Sequence, residues 1–213
     1  MPILLPVPSD ERARRTAQLF AGLLLYGIST AFLVNANLGL DPWDVFHQGL
    51  AERTGTQIGV ATIVTSAFVM LLWIPLRQRP GIGTISNAIV IGLVMDAVLA
   101  VAPEPNEVAW RALFLIGGIA MNGIATGMYI GAGLGPGPRD GLMTGWAART
   151  GRSIRLVRTI IEIGVLVAGW ALGGTIGIGT AAYALSIGPL AHIFIPLFTI
   201  GRAQATADQL EGH

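Results

Sequence analysis

A chain of 213 residues that is 53% hydrophobic and 12% charged, with a mean hydropathy of +0.65, cannot clothe a soluble surface, which takes about a quarter charged residues. Its net charge of +1 leaves no basic excess to neutralise phosphates and excludes nucleic acid as a partner. The absence of cysteine removes disulfides, thiolate metal sites and cysteine nucleophiles. What remains is an integral membrane protein whose first partner is the lipid bilayer.

The opening "MPILLPVPSDERARR" makes a poor signal peptide, because its charges follow a short, proline-broken apolar run instead of preceding it. It reads as a cytoplasmic N-terminal segment over 1–15, with the mature chain expected to begin near Met1. Windows of about 20 apolar residues then predict six spans, over 17–35, 58–76, 82–102, 112–130, 156–172 and 178–200, followed by a cytoplasmic tail over 203–213. Trp73, Trp110 and Trp170 are expected at span ends, where amphipathic rings settle. Every basic residue is arginine. Arg12, Arg14, Arg15, Arg77, Arg79, Arg139, Arg149, Arg152, Arg155, Arg158 and Arg202 fall on one side of a six-span chain, leaving Arg53 and Arg111 on the other. The positive-inside rule therefore predicts that both termini are cytoplasmic.

Two stretches interrupt the apolar pattern. "NLGLDPWD" starts at Asn37 and "GLGPGPRD" at Gly133, which matches Leu38 with Leu134, Gly39 with Gly135, Pro42 with Pro138 and Asp44 with Asp140. "GIGT" at Gly81 and Gly177, and "RTG" at Arg53 and Arg149, repeat at the same offset of 96 residues. Laying 15–102 over 111–198 without a gap gives 26 identities in 88 positions, about three times what composition supplies. The chain is thus read as a duplication, with repeats over 16–110 and 111–202. Three spans per copy is an odd number, so the second copy would enter the membrane from the opposite side. The fold class expected is all-α: a polytopic membrane protein of six transmembrane helices in two inverted three-helix repeats.

Each doubled stretch also starts a helix. Asp41 precedes Pro42, Gly137 precedes Pro138, and Asp44 or Asp140 follows in the first turn, where negative charge suits the helix dipole. Gly55 and Gly151 close the two helices. About twelve residues reach roughly 18 Å, too short to cross. Such a helix either lies flat at the interface or dips inward behind its glycine loop; the paired aspartates favour the second. Inverted symmetry would then bring the two N-termini together around a site for an anionic or zwitterionic group. The residues expected there are Gly39, Asp41, Pro42, Asp44, Gly135, Gly137, Pro138, Arg139 and Asp140, with Arg139 standing where the first copy has Trp43.

"NLGLDPWDVF" and "GLGPGPRDGLM", in a six-span chain of this size, resemble the YczE/YyaS/YitT family of bacterial integral membrane proteins, most closely the YczE branch. The resemblance runs from Arg12 to Arg202. It implies the multi-pass helical fold and a bacterial inner-membrane location, and it implies no biochemical activity.

Ionisable groups inside spans are costly and are functional candidates by default. Asp96 and its repeat partner His192 are candidate proton-coupling groups. Glu162 is a third, although Arg158 four residues earlier makes a structural ion pair the simpler reading. Asn35, Asn37, Asn87 and Asn122 are weaker candidates. Gly123, Gly127 and Gly131 form a small-residue ridge, serving either internal packing, the simpler expectation, or contact with a second copy in a homodimer. No phosphate-binding loop, dinucleotide fingerprint or hydrolase motif occurs, and His47, His192 and His213 are too scattered for a metal site. No cofactor and no enzymatic activity are therefore expected. The preferred function is a transporter or facilitator of a small polar solute. The alternatives are a membrane assembly or regulatory factor that grips a protein partner, and, weakest, an intramembrane enzyme.

Overall fold

Residues that stop a helix stand between the apolar runs. The computed structural model, which describes residues 4, 5, 8 and 10–201, divides the chain at them into eight helices, with no strand among the described residues. These are α1 (Arg12–Ala36), α2 (Pro42–Thr54), α3 (Ile58–Leu76), α4 (Ile82–Leu99), α5 (Val108–Gly131), α6 (Pro138–Thr150), α7 (Ile154–Leu172) and α8 (Ile178–Phe198). The expected tail over 203–213, Arg202 and His213 lie outside the described residues.

Five helices, α1, α3, α4, α5 and α8, are long and apolar enough to cross a membrane. The sequence predicts a sixth over 156–172. There α7 has the 19-residue length of α3, but Arg155, Arg158 and Glu162 lower its apolar content. The short helices form where the doubled motifs place them. Asp41 Oδ1 accepts from the amides of Trp43 (2.9 Å) and Asp44 (3.2 Å), Pro42 and Pro138 begin the first turns, and Gly55 (φ 67°) and Gly151 (φ 65°) end the helices in the left-handed region.

Contacts 96 residues apart are exchanged between the copies. Gly22 on α1 abuts Ala125 and Met128 on α5, while Gly118 on α5 abuts Ser29 and Leu33 on α1, so these central helices run antiparallel. Gly83 N–H donates to the Leu134 carbonyl (2.8 Å) and Gly179 N–H to that of Leu38 (2.7 Å). Each copy's third long helix thus rests on the other copy's glycine loop. Gly39 (φ 104°) and Gly135 (φ 118°) sit at these crossings. A Cβ on Gly39 would overlap Gly177 and Thr180, and one on Gly135 would overlap Gly81 and Thr84, so glycine is required for both conformation and space.

The remaining contacts set directions. α2 runs parallel to α7, with Phe46 beside Gly169 and Gly49 beside Leu172; α6 runs parallel to α3, with Gly141 beside Trp73 and Gly145 beside Gln78. The end of α2 is held at Leu172, whose carbonyl accepts from Arg53 Nε (3.1 Å). That is the end of the bundle where Arg111 binds the Ala36 and Asn37 carbonyls. The base of α6 lies at the opposite end, with the start of α1. There the buried Arg15 donates to the carbonyls of Ala132 (2.9 Å) and Ile200 (3.3 Å) and to Asp10 Oδ2 (2.6 Å). This last bond holds the Asp10 carboxyl below its usual range. Gly123, Gly127 and Gly131 receive Leu190, Phe194 and Phe198 of α8, so the ridge packs internally. Trp110 and Trp170 are exposed, whereas Trp73 is 2% exposed beneath α6 and does not join an aromatic belt.

Candidate functional site

Both short helices present their N-termini to one cavity of about 170 Å³. Asp41, Pro42 and Trp43 form one wall, and Gly137, Pro138, Arg139 and Asp140 form the facing one. Arg139 bridges them. Its guanidinium donates to Asp41 Oδ1 (3.4 Å) and to the Tyr26 hydroxyl (3.3 Å), and it stands 5.8 Å from the Trp43 ring centroid. Trp73 Nε1 donates to the Pro138 carbonyl (3.0 Å), which fixes the tip of α6 on α3. Both tips are packed against protein: Asp41, Trp43 and Asp44 at the start of α2 are each at most 5% exposed, and Gly137 and Pro138 at the start of α6 are buried. Irregular backbone at such a place is tolerated because protein satisfies it.

The two first-turn aspartates are held differently. Asp140 Oδ2 accepts from the Tyr129 hydroxyl (2.6 Å) at the cavity wall. Asp44 turns away from the cavity to His47, with Oδ1 to Nδ1 at 3.1 Å, and both side chains are buried. The bond goes to a buried carboxylate, so removing His47 would leave the Asp44 charge without that donor, which is costly. Asp41 Oδ2, Asp44 Oδ2 and Trp43 Nε1 have no hydrogen-bond partner among the described residues.

Of the residues singled out from sequence, Asp41, Pro42, Asn87, Gly137, Pro138, Arg139, Asp140 and Glu162 line the cavity. Gly39 and Gly135 support it as the crossing points of the loops. Glu162 pairs with Arg158 (2.7 Å) at the cavity's edge on α7. Asp96 is elsewhere: its two carboxylate oxygens accept from the amides of Gly59 (2.7 Å) and Val60 (3.1 Å), capping α3. His192 is exposed on the outer side of α8. The structure therefore does not bring the Asp96–His192 pair together, and neither lines the cavity.

The residues that sequence reasoning passed over are the tyrosines. The chain has three, and Tyr26, Tyr129 and Tyr183 all line the cavity. Tyr183 donates to Asn122 Oδ1 (2.9 Å), and Asn122 Nδ2 to Ser29 Oγ (3.0 Å), which locks α8, α5 and α1 behind the site. The available signal was that all three fall inside apolar runs, where a hydroxyl must find a polar partner.

A family of unknown function, DUF6198, matches residues 13–196. An uncharacterised Haemophilus influenzae protein is 41% identical over 83% of this chain and 81% of its own length. The uncharacterised membrane protein YczE of Bacillus subtilis is 31% identical over 88% of each chain. YyaS of the same organism is 24% identical over 83% of this chain and 90% of its own. No solved structure matches the present chain. The chain belongs to the DUF6198 family and is a relative of the membrane protein YczE and of YyaS.

Proposed function

We propose that this protein is a small transporter or facilitator of the bacterial inner membrane, moving a small polar, anionic or zwitterionic, solute. The observation that carries the reading is the meeting of two oppositely directed half-helix tips at one polar cavity inside an otherwise apolar bundle. Half-helix N-termini at the interface of repeats are how compact carriers bind solutes with fixed backbone dipoles. In this reading six helices cross, as two inverted three-helix repeats. At 19 residues, α7 reaches roughly 28 Å, enough to cross, with Arg158 and Glu162 neutralising each other. Both termini face the cytoplasm, in keeping with the arginine distribution. The way in lies between α7 and α8, where Arg158, Glu162, Ile187, Gly188 and Ala191 edge the cavity.

Arg139→Ala and Asp140→Asn are expected to abolish solute flux in proteoliposomes while leaving the purified protein monodisperse. Because the native chain has no cysteine, single cysteines at Thr56 and Arg152 give a clean topology test. Impermeant reagents should reach them from opposite faces of the membrane; labelling from one face would sink the inverted arrangement.

The partner-binding alternative draws its support from an apolar groove of about 500 Å³ between α2 and α3, lined by Phe46, Leu50, Val64 and Phe68. Absence of flux for a broad panel of anions and amino acids under every ion gradient, together with a co-purifying membrane protein, would favour it.

A further inference from the structure

Resting on the solute-binding reading above, we propose that the cavity takes a zwitterion, a small α-amino acid, with its carboxylate at the N-terminus of α6 and its ammonium against Asp41. Four observations converge on this assignment.

The first is a difference between the tips. Asp41 stands where the second copy has Gly137, at the same place before the proline. Asp41 Oδ1 caps α2 by accepting from two of its first amides, whereas no side chain caps α6. A ligand carboxylate placed there does for α6 what Asp41 does for α2. The surroundings are polar and close: a Cβ on Gly137 would lie 3.0 Å from Asp140 Oδ2 and 3.4 Å from both Asn87 Nδ2 and the Tyr129 hydroxyl, so a side chain there would crowd the tip of α6.

The second is Asp41 itself. It lines the cavity, is 3% exposed, and has spent Oδ1 on α2 and Arg139, while Oδ2 has no partner among the described residues. A buried carboxylate oxygen without a donor is costly, and an ammonium supplies the donor and the opposite charge together.

The third is charge. Arg139 and Arg158 share the lining with Asp41, Asp140 and Glu162, and the half-helix N-termini add positive dipole ends. Both signs are therefore present. A ligand that carries both can meet each, whereas a simple anion or cation meets only one.

The last is size. A cavity of about 170 Å³ has room for a small zwitterion such as glycine or alanine. Arg139, rooted at the tip of α6, donates to Asp41 at the tip of α2, so the two poles face one another across the one cavity.

The test is binding and uptake by the full chain in lipid nanodiscs and proteoliposomes, with glycine, L-alanine, acetate, methylammonium and inorganic phosphate as probes. Glycine and alanine are expected to bind. Acetate and methylammonium, each lacking one pole, should bind about tenfold or more weakly. Asp41→Asn keeps the capping oxygen but removes the charge, so it should weaken glycine about tenfold and turn the preference toward acetate. Acetate or phosphate binding as tightly as glycine would overturn the assignment in favour of a plain anion site. So would failure of both amino acids to bind, and if another solute is carried in that case, the transport reading survives alone. Amino-acid binding without flux leaves the zwitterion site standing and removes the carrier role.

Discussion

The seam between α3 and α4 and the seam between α7 and α8 occupy matching places in the two copies, yet one is closed and the other open. In the first, Gly59 lies against the Gly92 carbonyl, and Asp96 reaches across from α4 to cap α3. In the second, α7 and α8 scarcely touch, and Gly188, the counterpart of Gly92, has nothing within 4 Å of where its Cβ would be. The cause lies in three exchanges: Gly59, Thr62 and Ser66 in the first copy become Arg155, Arg158 and Glu162 in the second. Those three share one helical face. On that face Arg158 and Glu162 pair with each other along α7 and edge the cavity, where the first copy has side chains small enough for α4 to close on α3. The closed seam is lined by small residues and the open one by charged ones, at matching positions of the two sequence repeats.

That contrast can be broken most severely by writing the second copy's residue into the first. Gly59→Arg must displace the Gly92 backbone and the Asp96 cap. It should cost more than about 4 kcal/mol, read as loss of the monodisperse species by size exclusion. A gentler pair sharpens the comparison. Gly92→Ala overpacks the closed seam against Gly59 and Ile63 and should lower stability by about 1–3 kcal/mol. Gly188→Ala should stay within about 0.5 kcal/mol of wild type. Equal melting shifts for the two would mean that the open seam is packed after all. Asp96→Ala removes two acceptors from the first turn of α3 and is expected to cost about 0.5–2 kcal/mol, while His192→Ala at the matching exposed position leaves the melt unchanged.

The frame of the molecule was readable before any coordinates, and particular residues show why. The 96-residue offset, the proline-started short helices, the glycine ends at Gly55 and Gly151, and the internal use of the Gly123–Gly127–Gly131 ridge are local patterns, and local chemistry enforces each. The Arg158–Glu162 pair followed from helical spacing alone. The pairings between copies were not readable. Asp96 looked like a coupling group because a carboxylate in an apolar run is unusual; that it meets the first amides of α3 depends on how two helices cross. Tyr26, Tyr129 and Tyr183 were hidden for the same reason, since they come from three helices and converge only when the bundle closes. Trp73 fits the position of an interfacial aromatic by sequence, and it is the docking of α6 that buries it.

The glycine ridge on α5 also constrains assembly. Gly123, Gly127 and Gly131 are filled by Leu190, Phe194 and Phe198 of the same chain, so the close backbone approach that lets two copies of a smooth-faced helix dimerise is already consumed within the protomer. The outward surface of α8 instead carries Leu185, Ile193 and Leu197, each more than half exposed. Such a knobbed hydrocarbon face is at home among acyl chains, and a self-association built on it would have to interlock large side chains, not glycines.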